Sequence, residues 1–300
     1  MSRRLALAGY VAALVVWSAL VGIPNDPVGI LLWGWLALRI VRRHEGFWRD
    51  WLPYVAGLVA YWFLRGLADQ TFLDTHVDYP VRFDRWLGGL LGDGRTPTEQ
   101  LQDAWCGVPC LKTGDPHWWD FALNTVYASH FYVAMVLGLV LWVRHRDAWH
   151  DWMRRYVTLL FVGLAGYFLV PTAPPWMGVD AARITSRAWN EIGLERQNMV
   201  LLGMANKVAA MPSLHCGIAT LVALYAVSRL RSPYRWLLLL YPVAMGLALC
   251  YFGEHYVVDE LAGVLAAGLV MLGWGVSDRR RAVRGDGERL PVGGAAAQEE

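Results

Sequence analysis

The stretch AAMPSLHCGIATLVALY, residues 209–225, places a serine and a histidine at the start of a long apolar run. From Leu214 onward the side chains are almost all apolar or small, which is typical of a helix that crosses a lipid bilayer. Ser213 and His215 therefore stand at the mouth of such a helix. Polar groups in that position can cap the helix, bind a metal ion or form half of a catalytic pair.

The whole chain shares this apolar character, since 56% of its 300 residues are hydrophobic and only 17% are charged. This composition is typical of membrane proteins. Lipid offers the backbone no hydrogen-bond partners, so apolar runs of about 20 residues must form helices. Eight runs qualify, although the second is short and could be re-entrant: 5–23, 27–41, 51–68, 118–143, 156–171, 213–229, 236–253 and 256–276.

The sequence therefore predicts an all-α fold, a polytopic membrane helical bundle of about eight transmembrane helices. We expect one multi-pass membrane domain over residues 1–277, followed by a basic and then small, polar segment over 278–300. The composition of this last segment predicts a disordered cytoplasmic tail. Gly263 and Ala267, four residues apart in the last run, are expected to let two helices approach closely.

The distribution of lysine and arginine predicts the orientation of the chain. Five segments hold 18 of the 27 basic residues: 1–4, 39–50, 144–155, 229–235 and 279–300. All five fall on one side of an eight-span threading, which the positive-inside rule assigns to the cytoplasm. We therefore expect a cell-membrane protein with both termini cytoplasmic and the long loops 69–117 and 172–211 outside. Nothing in the sequence indicates a nucleic-acid partner.

The outer loop 69–117 contains an amphipathic segment and two cysteines. In YPVRFDRWLGGLLG, residues 79–92, apolar Val81, Trp86, Leu87 and Leu90 alternate at helical spacing with Arg82, Asp84 and Arg85, which predicts an interfacial helix. Cys106 and Cys110 are compatible with a local disulfide or with two free thiols. Eight tryptophans flank the predicted spans and are interpreted as interfacial belts: Trp48, Trp51, Trp118, Trp119, Trp142, Trp149, Trp152 and Trp236.

A second histidine motif stands at the start of the last apolar run. In HYVVD, residues 255–259, His255 and Asp259 are four residues apart, so a helix places both side chains on one face. An aspartate that accepts from one imidazole nitrogen leaves the other free to act as a nucleophile or base. The threading places His215 and His255 at the same leaflet.

Together these motifs resemble the type 2 phosphatidic acid phosphatase superfamily of lipid phosphatases and phosphotransferases. More narrowly, the chain resembles the branch that includes inositol phosphorylceramide synthase. The resemblance is carried by PSLHCG and, about forty residues later, HYVVD, with PTAPPW at 171–176, YASHF at 127–131 and PHWWD at 116–120. It implies a six-helix lipid phosphatase-like catalytic core, with the catalytic motifs within 116–270.

The resemblance also implies a catalytic role for three residues. His255 would attack phosphorus and form a phosphohistidine, and Asp259 would orient that imidazole. His215 would protonate the leaving oxygen and then activate the acceptor. For Ser213, phosphate binding and helix capping explain the residue equally well.

The chain departs from the broader superfamily in its cationic residues. It has no Lys-x6-Arg-Pro motif, and Ala248 and Leu249 occupy the place of an expected Ser-Arg pair. The transition state still needs cationic or N–H donors. Arg183 in the outer loop matches the loop arginine of the synthase-like branch and is the first candidate for this cation. Lys207 is the second candidate. His130 and Tyr127 are predicted to contact substrate.

The function predicted is a phosphotransferase that acts on a phospholipid or lipid-linked phosphoester at the extracytoplasmic face, with a polyol or alcohol as acceptor. The alternative is a lipid phosphate or prenyl diphosphate phosphatase, in which water is the acceptor. A metal-dependent hydrolase built on His215, His255 and Asp259 and a transporter are further alternatives. The leading hypothesis needs no cofactor and no metal, and the sequence does not indicate an oligomeric state.

Overall fold

The computed structural model describes residues 9, 12, 33–36, 39, 45–68, 73–185, 187–188 and 208–287. Over this part the chain is helical, and its extended pairing is limited to two isolated bridges from Thr172, to His76 and to Ala209. In chain order the helices described are α1 Phe47–Leu67, α2 Asp78–Leu91, α3 Pro97–Trp105, α4 Trp118–Arg144, α5 Arg146–Leu169, α6 Pro175–Gly178, α7 Leu214–Arg229, α8 Leu240–Tyr251 and α9 Val257–Gly287. A 3₁₀ helix, Pro233–Leu239, leads directly into α8.

The predicted spans from residue 51 onward all coincide with helices, whereas most of 5–23 and of 27–41 lies outside the described residues. By length and composition, Pro233–Tyr251 and Val257–Arg281 are apolar enough to cross a membrane. Helix α4 is bent by 51° after His130, and it adds a third such segment if its two halves form one span. The all-helical architecture is thereby confirmed, while the eight spans and the six-helix core stay predictions.

Helices α7 and α9 cross at very short range. A Cβ added to Gly263 on α9 would overlap the backbone oxygen of Ser213, and one added to Gly217 on α7 would lie 3.2 Å from the backbone oxygen of Gly263. The Ser213 N–H also donates a 2.9 Å hydrogen bond to the carbonyl oxygen of Asp259. Glycine permits this approach because it has no side chain between the two backbones. The close approach predicted at Gly263 is confirmed.

A cluster of aromatic side chains joins α1, α4 and α5. Phe47 stacks on Trp51 with ring centroids 5.4 Å apart and meets Trp142 edge-on at the same distance, while Trp51 lies 5.2 Å from Trp149. These rings and Trp152 are buried. The interpretation of Trp51, Trp142, Trp149 and Trp152 as belt residues is therefore wrong, because neighbouring helices cover them. Trp48, Trp118 and Trp236 are exposed.

The segment predicted to be an interfacial helix forms helix α2, and its place at the membrane interface stays a prediction. The side chains that α2 buries differ from those that the sequence pattern suggests. Asp84 is completely buried, whereas Trp86 and Leu90 are 59% and 67% exposed. Asp84 faces inward because it accepts hydrogen bonds from the first turn of α9. The apolar residues Trp86 and Leu90 are left to face outward, as suits a helix at the bilayer surface.

The loop before α4 is held to the segment after α6. Cys106 and Cys110 form a disulfide. The Arg187 guanidinium donates to the Cys106 sulfur and to the carbonyl oxygens of Gly114 and Asp115. Arg187 is itself buried, so these bonds fasten two parts of the loop structure that are distant in sequence.

Helix α9 continues beyond the predicted membrane domain. It extends to Gly287, into the segment for which a disordered tail is predicted. Residues 288–300 lie outside the described part of the chain.

Gly263→Ala is expected to destabilise the α7–α9 crossing, because its methyl group would overlap the Ser213 carbonyl. Overpacking of this kind costs about 1–3 kcal/mol, so the unfolding temperature and the activity should both fall. Gly268→Ala on the same helix is the control, since its Cβ meets nothing within 4 Å. Thermal unfolding in detergent measures the difference, and equal behaviour of the two variants would contradict the tight crossing.

Candidate active site

Ser213 caps the start of α7. Its side-chain oxygen accepts from the backbone N–H of Cys216 at 3.4 Å, which makes Ser213 the N-cap of the helix. The residue is completely buried. Its capping role is therefore visible in the structure, and contact with a phosphate stays a prediction. His215 lies in the first turn of the helix that Ser213 caps.

His255 and Asp259 meet at the start of α9, as their spacing predicts. His255 Nδ1 lies 3.7 Å from Asp259 Oδ2, within ion-pair range and slightly longer than a hydrogen bond. Both side chains are buried. Asp259 Oδ2 also accepts from the Tyr256 N–H at 3.0 Å, which fixes the carboxylate next to the imidazole. Catalytic hydrogen bonds are often long without substrate, so this geometry suits an Asp–His pair.

His215 lies at the centre of a group of rings. Its ring centroid is 5.5 Å from that of His255, 4.1 Å from that of His130 and 5.1 Å from that of Tyr127. Tyr127 stacks on His215 with an interplanar angle of 20°. The structure thus brings together five of the residues singled out from sequence. His130 and Tyr127 pack against His215, and their contact with substrate stays a prediction.

Arg183 lies beside the site but is paired with a carboxylate. Its Nε and Nη2 donate to the two oxygens of Glu254 at 2.7 and 3.1 Å, and the Thr185 hydroxyl donates to the same carboxylate at 3.2 Å. Burial disfavours the charged guanidinium, but Glu254 more than compensates and holds the pKa of Arg183 above its ordinary value. Arg183 also interacts electrostatically with His215 and Tyr127. Its role as a phosphate ligand stays a prediction and requires it to exchange Glu254 for the anion.

Lys207, the second candidate cation, lies outside the described residues.

Arg65 was missed by the sequence reasoning. It lies near the end of α1, its Nε atom is buried, and it interacts electrostatically with His215, His130 and Tyr127. An arginine within an apolar run is a functional candidate by default. That signal was present in WFLRGL, but the run precedes the recognised motifs by many residues.

Glu254 was also missed, although it stands directly before His255. The bidentate contact between Arg183 and Glu254 connects the loop after α6 to the residue that directly precedes His255. Position in the sequence alone could not indicate the pairing, because Arg183 comes from a distant loop.

This arrangement can perform acid–base and nucleophilic chemistry on one group. Two imidazoles with ring centroids 5.5 Å apart can contact the same phosphate, and one of them has a carboxylate against its other nitrogen. Two guanidinium groups lie close enough to His215 to interact with it electrostatically. In the described residues, no group of three or more His, Cys, Asp or Glu side chains has an arrangement that could hold a metal ion.

Comparison with known families identifies the class of protein. The model of the PAP2 superfamily matches residues 111–273, which is more than half of the chain. The chain therefore belongs to the PAP2 superfamily, and its long apolar helices are those of a membrane protein.

A more particular similarity lies within this class. Over 191 residues the chain is 31% identical to the phosphoinositol dihydroceramide synthase of Bacteroides thetaiotaomicron. The aligned region covers 56% of this chain and 59% of that curated relative. The similarity supports the inositol phosphorylceramide synthase-like branch of the superfamily. No solved structure matches the chain.

A double-mutant cycle tests the Arg183–Glu254 pair. Arg183→Ala and Glu254→Ala should each lower the free energy of unfolding, and the double variant should lose less than their sum. Because the contact is bidentate and mostly buried, we expect a coupling of about 1–2 kcal/mol. Denaturation in detergent measures the coupling.

The matched control combines Glu254→Ala with Arg187→Ala, because Arg187 binds backbone carbonyl oxygens and the disulfide rather than Glu254. This second cycle should be additive. Additivity in both cycles would show that the Arg183–Glu254 contact contributes nothing.

Proposed function

We propose that the chain is a phosphotransferase that moves a phosphorylated headgroup from a phospholipid to an alcohol, in the manner of an inositol phosphorylceramide synthase. The observation that carries the proposal is the arrangement of three side chains. His255 lies against Asp259, and the ring centroids of His215 and His255 are 5.5 Å apart. The similarity to a phosphoinositol dihydroceramide synthase supports phosphoinositol as the group transferred.

In the first half-reaction His255 Nε2 attacks the phosphorus of the donor lipid. The P–N bond forms as the bond from phosphorus to the lipid alcohol breaks, and His215 gives its proton to that leaving oxygen. Asp259 stabilises the positive charge that develops on the His255 ring through Nδ1. The product is a headgroup-phosphohistidine on His255 and a free lipid alcohol.

In the second half-reaction His215 acts in the opposite direction. As a base it takes the proton of the acceptor hydroxyl, whose oxygen attacks phosphorus as the P–N bond breaks. A new phosphodiester lipid leaves, and His215 is protonated for the next cycle. If water takes the place of the alcohol, the same steps hydrolyse the donor, which is the phosphatase alternative.

Arg65 and Arg183 are proposed to stabilise the charge on the phosphoryl oxygens. The chain has no Lys-x6-Arg-Pro motif, and a pentavalent transition state still needs donors placed around it. Arg65 comes from α1, before the region that the superfamily model matches. It would therefore complement the family core with a cation from another part of the chain.

The site is proposed to face the extracytoplasmic side of the cell membrane. The basic segments that separate the predicted spans lie on the opposite side of the threading. Both His215 and His255 lie at the helix ends that are remote from those segments.

The reaction is tested with purified protein in lipid nanodiscs. Headgroup-labelled phosphatidylinositol is the donor, and ceramide or diacylglycerol is the acceptor. A new labelled lipid that depends on the acceptor would establish transfer. Release of water-soluble inositol phosphate alone would favour hydrolysis, and no turnover of either kind would refute the proposal.

His255→Ala is expected to abolish turnover and labelling of the protein by the donor, because no other group would form the P–N bond. The wild-type adduct should be stable in alkali and labile in acid, as a phosphohistidine is, and mass spectrometry should place it on His255. His145→Ala, at an exposed histidine between α4 and α5, is the control and should retain both activities. An adduct on any other residue would disprove the mechanism.

Arg65→Ala is expected to lower kcat by about 10²–10³, the range seen when one transition-state donor is removed. Arg65→Lys should retain part of the activity because it keeps the charge. Arg49→Ala is the control, since Arg49 lies on the same helix and is exposed. Steady-state kinetics on the lipid donor would count against this role if Arg65→Ala kept the wild-type kcat.

A further inference from the structure

The first turn of α9 is held by a carboxylate from another helix. Asp84 on α2 accepts from the N–H of Val257 through Oδ2 at 2.9 Å and from the N–H of Val258 through Oδ1 at 3.3 Å. The first amides of a helix have no partner within it and usually receive one from a preceding side chain. Here that partner comes from about 170 residues earlier in the chain.

These two amides lie between the residues of the Asp–His pair. His255 precedes Val257 by two positions, and Asp259 directly follows Val258. Asp259 itself accepts from the Tyr256 N–H, so the amides of Tyr256, Val257 and Val258 are all bound by carboxylates. A shift of the Val257–Val258 peptide would alter the 3.7 Å separation of His255 and Asp259.

The burial of Asp84 has a cost. Burial raises the pKa of its carboxyl to about 7, the two amide hydrogen bonds oppose this, and the charge of Asp259 adds to it. Because this pKa lies above the ordinary value of 3.8, the native state loses stability as the pH rises from about 4 to 7. A buried carboxylate with a raised pKa that lies beside a candidate catalytic pair is a candidate for a functional role in addition to its capping of the helix.

Other ionisable groups share this region, and they belong to several elements. On α9 they are Asp259 and Glu260, and Tyr256 directly precedes the helix. Glu99 on α3, Cys250 on α8 and Arg85 on α2 also interact electrostatically with members of this group.

We infer that Asp84 is a positioning residue: it holds the first turn of α9 so that His255 and Asp259 keep the geometry that the proposed transfer requires. The inference rests on the proposed function and extends it to α2. Trp86 and Leu90 face outward from the same helix, so the segment that the sequence predicts to lie at the bilayer surface would also position the catalytic pair.

Asp84→Asn tests the inference, because it keeps the size of the side chain and one acceptor oxygen while removing the charge. A displaced catalytic group can cost up to about 10²-fold, and we expect kcat to fall about tenfold with KM for the lipid donor within about twofold. The wild-type kcat should rise around pH 7 as Asp84 ionises, and this step should be absent in the variant. Asp78→Asn is the matched control, since Asp78 lies on the same helix and is exposed.

Hydrogen exchange followed by mass spectrometry provides a readout that does not depend on turnover. Peptides that contain Val257 and Val258 should exchange faster in Asp84→Asn than in the wild type or in Asp78→Asn. Faster exchange with unchanged kcat would overturn the positioning role and leave only a structural cap. Unchanged exchange would overturn the inference altogether.

If Asp84→Asn does not fold, Asp84→Glu replaces it. We expect Asp84→Glu to keep the step near pH 7 and to lower kcat, and a wild-type kcat would overturn the inference. If the wild-type protein transfers no headgroup, the proposed function fails, while the exchange comparison still decides whether Asp84 holds α9.

Discussion

The contact between the first turns of α7 and α9 is the constraint on which the rest of the site depends. The Ser213 N–H binds the Asp259 carbonyl oxygen, and Gly263 lets the two backbones come together. Since His215 lies two residues after Ser213 and His255 lies four before Asp259, one backbone contact sets the distance between the two imidazoles. A side chain at Gly263 would separate them even though that position carries no chemistry.

The second organising feature is the way in which buried charges are paired. A charge removed from water is costly unless a partner or hydrogen bonds compensate it. Glu254 compensates the charge of Arg183, whereas two helix amides compensate the burial of Asp84 only in part. Each pairing connects a segment outside α7 and α9 to the residues around His255. The contacts that partner these buried charges therefore also hold the segments next to His255 in place.

The superfamily match begins at residue 111, yet Arg65 and Asp84 come from helices that precede it. The helices α1 and α2 supply a guanidinium and a carboxylate to a core whose motifs lie further along the chain. This division suits a chain that lacks the Lys-x6-Arg-Pro motif, because the proposed role of Arg65 supplies a cation from a different helix. It also explains why the recognised motifs alone do not account for the whole site.

Much of the fold and the centre of the site could be predicted from sequence for identifiable reasons. Apolar runs must become helices in lipid, and a spacing of four residues places His255 and Asp259 on one face of a helix. Predictions were wrong where packing against a helix distant in sequence decided whether a side chain is buried. Trp51 and Trp149 are buried because α1 and α5 pack together, and Asp84 faces inward because α9 begins beside it.

The sequence by itself determined the helical membrane class, the two histidine motifs and their relation to the PAP2 superfamily. The helical class and the two motifs depend only on the periodicity and spacing of neighbouring residues, and the relation to the superfamily rests on the resemblance of those motifs. Only the tertiary structure decided that Arg183 pairs with Glu254, that Arg65 lies near His215 and that Asp84 caps α9. Such contacts join residues that are far apart in the chain, and packing chooses among the many partners that the sequence leaves possible.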